Sequence, residues 1–273
     1  ESVKLVDGDT AASVLGQVVL VDANATYTNA TTYQTITVDA GALVATGAVA
    51  ADTTSIDASA ELDGKVVVIG GAGADTIIGS ASANFGDNLS GGVGNDTFKF
   101  ASANLTATDS IDGGTGTNTI EITNAVAVID TAFTKVTAGT VQTLTSSAGV
   151  AQDFTLDSKA LAAGITTVTG STAADKVTVT AGYTGALTIA LGASAGNDSV
   201  VGGAAGAGLT ITGTLGGVTT GDAIAGATAS ADTLTLSVVG AATSTLTNVS
   251  SVESVKLVDG DTAASVLGQV VLV

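Results

Sequence analysis

The sequence predicts an all-β chain wound as a parallel β-solenoid (a β-helix or β-roll), with turns of roughly 21 residues in at least the 70–130 region. Three observations predict it. Acidic or amide residues at Asp75, Asp87, Asp96, Asp109, Asn118 and Asp130 are separated by 12, 9, 13, 9 and 12 residues. Like positions therefore recur every 21 or 22 residues, with Asp75, Asp96 and Asn118 in one column and Asp87, Asp109 and Asp130 in the other. A two-sided coil with one short and one long half per turn gives that rhythm. Second, a large apolar residue stands two places after most of these positions (Ile77, Leu89, Phe98, Ile111, Ile120), with Ala132 and Phe133 a weaker partner for Asp130. Third, hydrophobic residues make up 45% of the chain but aromatics only 3%, and most of the apolar content is Ala and Val. Thin stacked layers of small and β-branched side chains suit that composition better than a globule with bulky residues at its centre.

From Glu1 to Asp63 the text alternates as strands do, for example at Thr35-Ile36-Thr37-Val38, with loops at Asp7-Gly8-Asp9 and Asp22-Ala23-Asn24. Gly41–Ala60 is Ala-rich and the most helix-tolerant stretch, although Gly47 and many Thr and Ser residues weaken a helix there. Lys65-Val66-Val67-Val68-Ile69 reads as a short buried strand feeding into the Gly-rich Gly70–Phe100.

That stretch holds two clean copies of one nine-residue pattern, GGAGADTII at Gly70–Ile78 and GGVGNDTFK at Gly91–Lys99. A worn copy ending in Gly86-Asp87-Asn88-Leu89-Ser90 lies between them. Glycines admit positive φ in a tight turn, so that carbonyl oxygens can point inward together. One Asp per turn adds a hard carboxylate oxygen, and Ca²⁺ takes six to eight oxygen ligands. The apolar residue two places after the Asp starts a strand that faces a core. The candidate Ca²⁺ ligands are Gly70, Gly71, Gly73, Asp75, Asp87, Gly91, Gly92, Gly94, Asp96, Asp109, Asp112 and Asn118. Asn118 departs from the pattern by offering an amide, and Asp112 assists from just before Gly113-Gly114. The competing reading is a set of Gly-Asp turns that hold no ion. Asp7-Gly8-Asp9, repeated at Asp259-Gly260-Asp261, reads as a solvated corner.

Beyond Thr134 the signal fades without vanishing. Alternation continues in Lys176–Val179, Leu187–Ile189, Leu209–Ile211 and Leu234–Leu236, and worn turns recur at Ala174-Asp175, Gly196-Asn197-Asp198 and Ala231-Asp232. No proline interrupts the text, and no composition shift marks a boundary. The largest repeat is at the ends: Glu1–Val21 recurs unchanged at Glu253–Val273, 252 residues on. Residues 1–252 are read as one solenoid unit and 253–273 as the start of the next identical one. The favoured source is a longer tandem array, since the second copy stops mid-strand; a deliberate duplication is the alternative. The lack of an initial Met marks an internal or processed piece. At a uniform 21 residues the unit would contain roughly 12 turns and advance roughly 58 Å at ~4.8 Å per strand.

Formal net charge is −18, from 25 acidic and 7 basic residues. That excludes nucleic acid, whose phosphates need basic partners. So much negative charge would repel itself without bound cations. Without Cys there is no disulfide framework, and no apolar run is long enough to span a membrane. No catalytic residues are assigned. Gly192-Ala193-Ser194-Ala195-Gly196 matches a nucleophile elbow, but the chain has no His to serve as its base. Carboxylate pairs for sugar cleavage would need a groove lined with aromatics, and only 3 Tyr and 5 Phe are available. Glycosylation sequons at Asn24, Asn29, Asn88, Asn95, Asn104, Asn197 and Asn248 are expected by chance in text so rich in Thr and Asn.

The nonapeptides of Gly70–Ile120 resemble the RTX calcium-binding repeat of secreted bacterial proteins. The resemblance implies an ion held between turns on the same side by Asp carboxylates and turn carbonyls. The wider Ala/Thr/Val/Gly text looks like RTX-type S-layer and giant surface proteins, which are exported by type I secretion and assemble outside the cell in Ca²⁺. It implies an extracellular location, secreted or at the cell surface. The expected function is structural: an extracellular bacterial fibre or surface layer built from tandem 252-residue solenoid units stiffened by calcium. The alternative is the stalk or binding region of a giant calcium-dependent RTX adhesin, and a third reading is the RTX tail of a secreted enzyme. Expected partners are copies of the chain itself, by head-to-tail continuation or lateral assembly, with cell-surface polysaccharide a further candidate.

Overall fold

The computed structural model describes residues 2–6, 14–21, 35–43, 52–82, 85–125, 127–147, 149–192, 196–203, 206, 208–239, 243–260 and 269–272. The chain divides into two compact units. One comprises Glu1–Thr123, Thr131–Thr143 and Ala162–Gly164; the other comprises Asn124–Asp130, Leu144–Leu161 and Ile165–Val273. Both are parallel β-solenoids, as the sequence predicts.

In the first unit the strands are β1 (Ser2–Lys4), β2 (Val14–Val21), β3 (Thr35–Asp39), β4 (Thr53–Ala60), β5 (Lys65–Ile69), β6 (Thr76–Ile78), β7 (Asn88–Ser90), β8 (Thr97–Phe100), β9 (Ser110–Asp112) and β10 (Thr119–Ile122). Odd-numbered strands form one sheet in the order β1-β3-β5-β7-β9, and even-numbered strands follow one another as β2-β4-β6-β8-β10 in a second. The chain thus changes sheet at every half turn. From β3 onward buried residues alternate with more exposed ones along the strands, as in β3 and β5, so one side chain in two enters the space between the sheets. The core is built of like-on-like stacks. Ile56 pairs with Ile77, Ile77 with Phe98 and Phe98 with Ile120. Val38, Val68, Leu89 and Ile111 do the same on the other sheet. None of these eight is more than 1% exposed.

The second unit has β11 (Thr143–Ser146), β12 (Asp153–Leu156), a short helix α1 (Ser158–Ala163), β13 (Thr167–Thr169), β14 (Lys176–Val179), β15 (Leu187–Ala190), β16 (Ser199–Val201), β17 (Leu209–Thr214), β18 (Ala223–Ala225), β19 (Thr233–Val238), β20 (Thr243–Leu246), β21 (Val249–Ser250), β22 (Ser254–Asp259) and β23 (Gln269–Leu272). Its sheets run β12-β14-β16-β18-β21, β11-β13-β15-β17-β19-β22 and β20-β23. Stacks of Phe154, Val177, Val200 and Ile224, and of Val168, Ile189, Ile211 and Leu234, fill it.

Turn length holds at 21 or 22 residues where the nonapeptides are, from Ile56 through Ile77 and Phe98 to Ile120. Elsewhere it does not. Val18 pairs with Ile56, Val38 with Val68, and Val177 with Val200, steps of 38, 30 and 23 residues, and the average is about 23. The twelve-turn arithmetic therefore fails, because corners lengthen without disturbing the rungs. The helix-tolerant reading of Gly41–Ala60 also gives way: Thr53–Ala60 is strand β4. Thr54, Ile56 and Ala58 alternate onto a buried sheet face, and that burial outweighs the helical preference of alanine. Residues 44–51, which include Gly47, lie outside the described residues, as do Asp7-Gly8-Asp9, Asp22-Ala23-Asn24 and Asp261. Among the described residues no helix is long and apolar enough to cross a membrane.

Candidate metal centre

Each rung begins where the chain enters a strand from a corner. The amide at that point, just before the strand or among its first two residues, is buried and needs an acceptor. A short polar side chain one turn later supplies it. Asp75 Oδ1 accepts from the backbone N–H of Thr54 at 2.7 Å and from its hydroxyl at 2.9 Å. Asp96 Oδ1 accepts from the N–H of Asp75 at 2.9 Å, and Asn118 Oδ1 from that of Asp96 at 2.8 Å. Gln142 Oε1 closes the series on the N–H of Asn118 at 2.8 Å. In the second column Asp109 Oδ1 takes the N–H of Asp87 at 2.8 Å, while Asp87 holds the N–H and hydroxyl of Ser80.

The second unit repeats the device. Asp175, Asp198 and Asp222 accept from the N–H groups of Gln152, Asp175 and Asp198. Asp232 accepts from Leu209, and Glu253 from Asp232. The predicted column Asp75–Asp96–Asn118 is therefore a hydrogen-bonded stack, and so is Asp87–Asp109. Asp130 instead caps α1, with Oδ1 accepting from Asp157 and Ala160 and Oδ2 from Lys159. Ile111 is followed on its sheet by Val136 rather than by Ala132 or Phe133.

The stacked carboxylates are buried, with Asp75, Asp87, Asp96 and Asp109 at most 2% exposed. Burial pushes the carboxyls of Asp87 and Asp96 up to about 6, and the neighbouring Asp109 and Asp75 carboxylates add to the rise. Asp198 is likewise raised to about 6 by burial, with Asp175 and Asp222 adding to it. Burial also raises Asp109, against the opposing pull of its bonds to Thr106.

The two nonapeptides differ in one atom's fate. In the first, Asp75 Oδ2 accepts from the N–H of Gly71 at 3.0 Å. In the second, Gly92 occupies that place with a φ of +103°, and Asp96 Oδ2 is buried without a hydrogen-bond partner. The glycines are required by crowding between turns. A Cβ on Gly70 would stand 1.9 Å from Gly91 O, one on Gly94 1.9 Å from Gly73 O, and one on Gly91 2.2 Å from Asp96 Oδ2. Gly71 O and Gly92 O accept from Val93 and Thr115, stitching each turn to the next.

Comparison with known proteins returned no matching family model, curated protein or solved structure. Among the described residues no three acidic, His or Cys side chains gather in a way that could hold a metal. A cation at the nonapeptides would therefore take the Asp75 and Asp96 carboxylates together with turn carbonyls. Two features fit one: the orphaned Asp96 Oδ2, and the crowded glycine turns, which leave no room for side chains around it. Asp112 lies at the end of β9, where Oδ1 accepts from Gly114 and its carbonyl from Gly91.

Sequence reasoning missed Thr54, Gln142, Gln152, Asp222 and Glu253 as members of the stacks. All five carry a readable signal, a polar side chain two residues before an apolar one that joins a stack: Thr54 before Ile56, Gln142 before Leu144, Gln152 before Phe154, Asp222 before Ile224 and Glu253 before Val255. Residues 193–195 of the elbow-like Gly192–Gly196 lie outside the described residues.

Proposed function

We propose that the chain is a structural protein, a unit of an extracellular fibre or surface layer of the RTX type, whose solenoid is stiffened by calcium. The observation that carries the reading is the buried carboxylate stack of Gly70–Asn118, with Asp96 Oδ2 lacking any partner and the Asp96 carboxyl raised to about 6 by burial. Like charges stacked in a low-dielectric interior oppose folding unless a counter-charge joins them. Calcium would supply that counter-charge. Asp75 and Asp96 would hold it with carbonyls of the Gly70–Gly73 and Gly91–Gly94 turns, and Asp87 and Asp109 form the equivalent pair on the other side. An ion that binds stacked turns and not the open chain converts binding free energy into folding free energy. Millimolar external calcium matches the weak affinity of extracellular modules.

The test is electron microscopy of the purified chain in calcium and in a chelator, with circular dichroism on the same samples. The expected result is ordered filaments or sheets in calcium and loss of both assembly and β-signal in chelator. Assemblies that persist unchanged in chelator overturn the calcium mechanism.

A further inference from the structure

The identical segments Glu1–Val21 and Glu253–Val273 are paired in opposite directions. In the first copy β1 pairs only with the next strand on its sheet, β3, with Ser2 opposite Thr37 and Val3 opposite Val38. β2 likewise pairs with β4, with Val18 opposite Ile56. In the second copy β22 pairs with the strand before it, β19, with Ser254 opposite Thr233 and Val255 opposite Leu234. β23 pairs with β20, with Gln269 opposite Thr243. Both strands of the segment therefore offer one edge to the next rung in the first copy, and the opposite edge to the preceding rung in the second.

The amides used confirm that these edges are complementary. Successive N–H groups of a parallel strand point to opposite neighbours. In the first copy Leu5 N–H donates to Asp39 O on the next strand at 2.8 Å. In the second copy Glu253 and Ser254 share Asp232 O at the corner that precedes the strand, and along β22 itself the donors to the preceding rung are Ser254 and, at its end, Gly260, to Val238 O. Those two correspond to Ser2 and Gly8, of the opposite parity to Leu5. Leu257, the counterpart of Leu5, therefore carries its N–H on the open edge of β22. Apolar side chains in register with core residues are nevertheless exposed in both copies: Val3, opposite Val38, at 41% and Leu257, opposite Leu236, at 45%.

We infer that this segment is a shared rung: β22 and β23 of one copy of the chain seat on the β3 and β4 edges of another, in the register that β1 and β2 take in their own chain. One segment then completes two units, its Ser254 and Gly260 amides holding the unit before and its Leu257 amide the unit after. The inference rests on the structural reading above and names its joint. The occupant of the open β22 edge is a second copy of this chain, because the bonding partners of that edge are already seen in the first copy.

In the wild-type chain the segment 1–21 covers its own β3 and β4. Leu5→Pro removes the N–H that reaches Asp39 and loosens β1 from β3, opening the β3 edge to a second copy. The full-length Leu5→Pro variant, followed by sedimentation velocity in calcium, is expected to form head-to-tail oligomers that grow with concentration beyond anything the wild type shows. Leu5→Pro combined with Leu257→Pro is expected to return to monomer, since Leu257 N–H plays no part in the bond to β19. The chain contains no cysteine, so register can be read directly. Thr37→Cys with Ser254→Cys on the Leu5→Pro background should give an intermolecular disulfide ladder, and Thr37→Cys with Lys256→Cys should not. A monomeric Leu5→Pro variant with an intact β-signal overturns the shared rung, as does assembly that ignores Leu257 or disulfides that ignore register. If Leu5→Pro loses its β-signal, a fluorescent peptide of residues 253–273 is offered to the wild-type chain. Binding abolished by Leu257→Pro in the peptide supports the joint, and no binding overturns it. Sensitivity to chelator alone bears on the calcium reading, and dependence on Leu257 bears on the joint.

Discussion

The backbone N–H of Asp75 donates to Asp96 Oδ1, 2.9 Å away and 21 residues later. The bond runs against the chain: a carboxylate satisfies the turn before its own. Removing it therefore injures a neighbour. Asp96→Ala leaves the Asp75 amide buried without an acceptor and should cost about 1–3 kcal/mol. Asp96→Asn keeps the Oδ1 acceptor, so in chelator it should cost less than the alanine variant or even stabilise, while losing most of its response to calcium. Thermal melts of the three proteins with and without calcium make the comparison. Amide exchange provides an independent check, since Asp96→Ala should accelerate exchange at Asp75 more than at Thr97. Faster exchange confined to Thr97 would sink the backward-reaching account.

Acidity separates burial from ion binding. The Asp87, Asp96 and Asp198 carboxyls sit at about 6 in the folded chain, against an ordinary aspartate value of 3.8. Between roughly pH 4 and 6 the native state holds protons that the unfolded state has released, so stability falls as pH rises through that window. In chelator the melting temperature should accordingly increase from pH 7 to pH 5. In excess calcium the gain should shrink or reverse, because protons then compete with the ion. A melting temperature that drops on acidification in chelator would show that these carboxylates are stabilised as anions by the protein alone.

Two glycines with positive φ give an internal control for crowding. Gly94 has a φ of +140° and a Cβ there would meet Gly73 O at 1.9 Å, whereas at Gly139, with a φ of +74°, nothing lies within 4 Å. Gly139→Ala should cost only the backbone strain, about 1–2 kcal/mol. Gly94→Ala must also push two turns apart and should cost about 3 kcal/mol or more. Denaturant midpoints measured under one set of conditions rank them, and equal losses would remove the close approach of the turns from the explanation.

The like-on-like stack sets a further expectation. Ile77 is fully buried between Ile56 and Phe98. Ile77→Ala should cost about 2–5 kcal/mol, since the rungs on either side are fixed by their hydrogen bonds and close poorly over a void. Ile77→Leu, which keeps the volume, should cost less than about 1.5 kcal/mol. Equilibrium unfolding of both variants tests whether the stack is as tightly packed as its burial implies.

Much of the fold was legible because the repeating features obey simple spacing. Asp75, Asp96 and Asn118 fall in one column in the text and in one hydrogen-bonded stack in the structure. The strands at Lys176–Val179 and Leu234–Leu236 were readable from alternation, and Lys65–Ile69 from its short apolar run. What escaped was whatever a corner can vary. Val38 to Val68 spans thirty residues while Val68 to Leu89 spans twenty-one, and no period survives that change. Chemical substitution hid the rest: Gln142 and Glu253 do with longer arms what Asp does elsewhere, and a search for Asp passes over them. Asp130 matched the spacing and failed for a local reason, since a helix start nearby offered it three unpaired amides.

The unequal steps have a practical consequence. Because Val38 and Val68 pair in the same sheet, and with the same parity, as Val68 and Leu89, foreign sequence can be grafted into the long corner without altering the rungs stacked above or below. A tag, an enzyme or a binding loop inserted between Leu43 and Asp52 would then recur once in each unit.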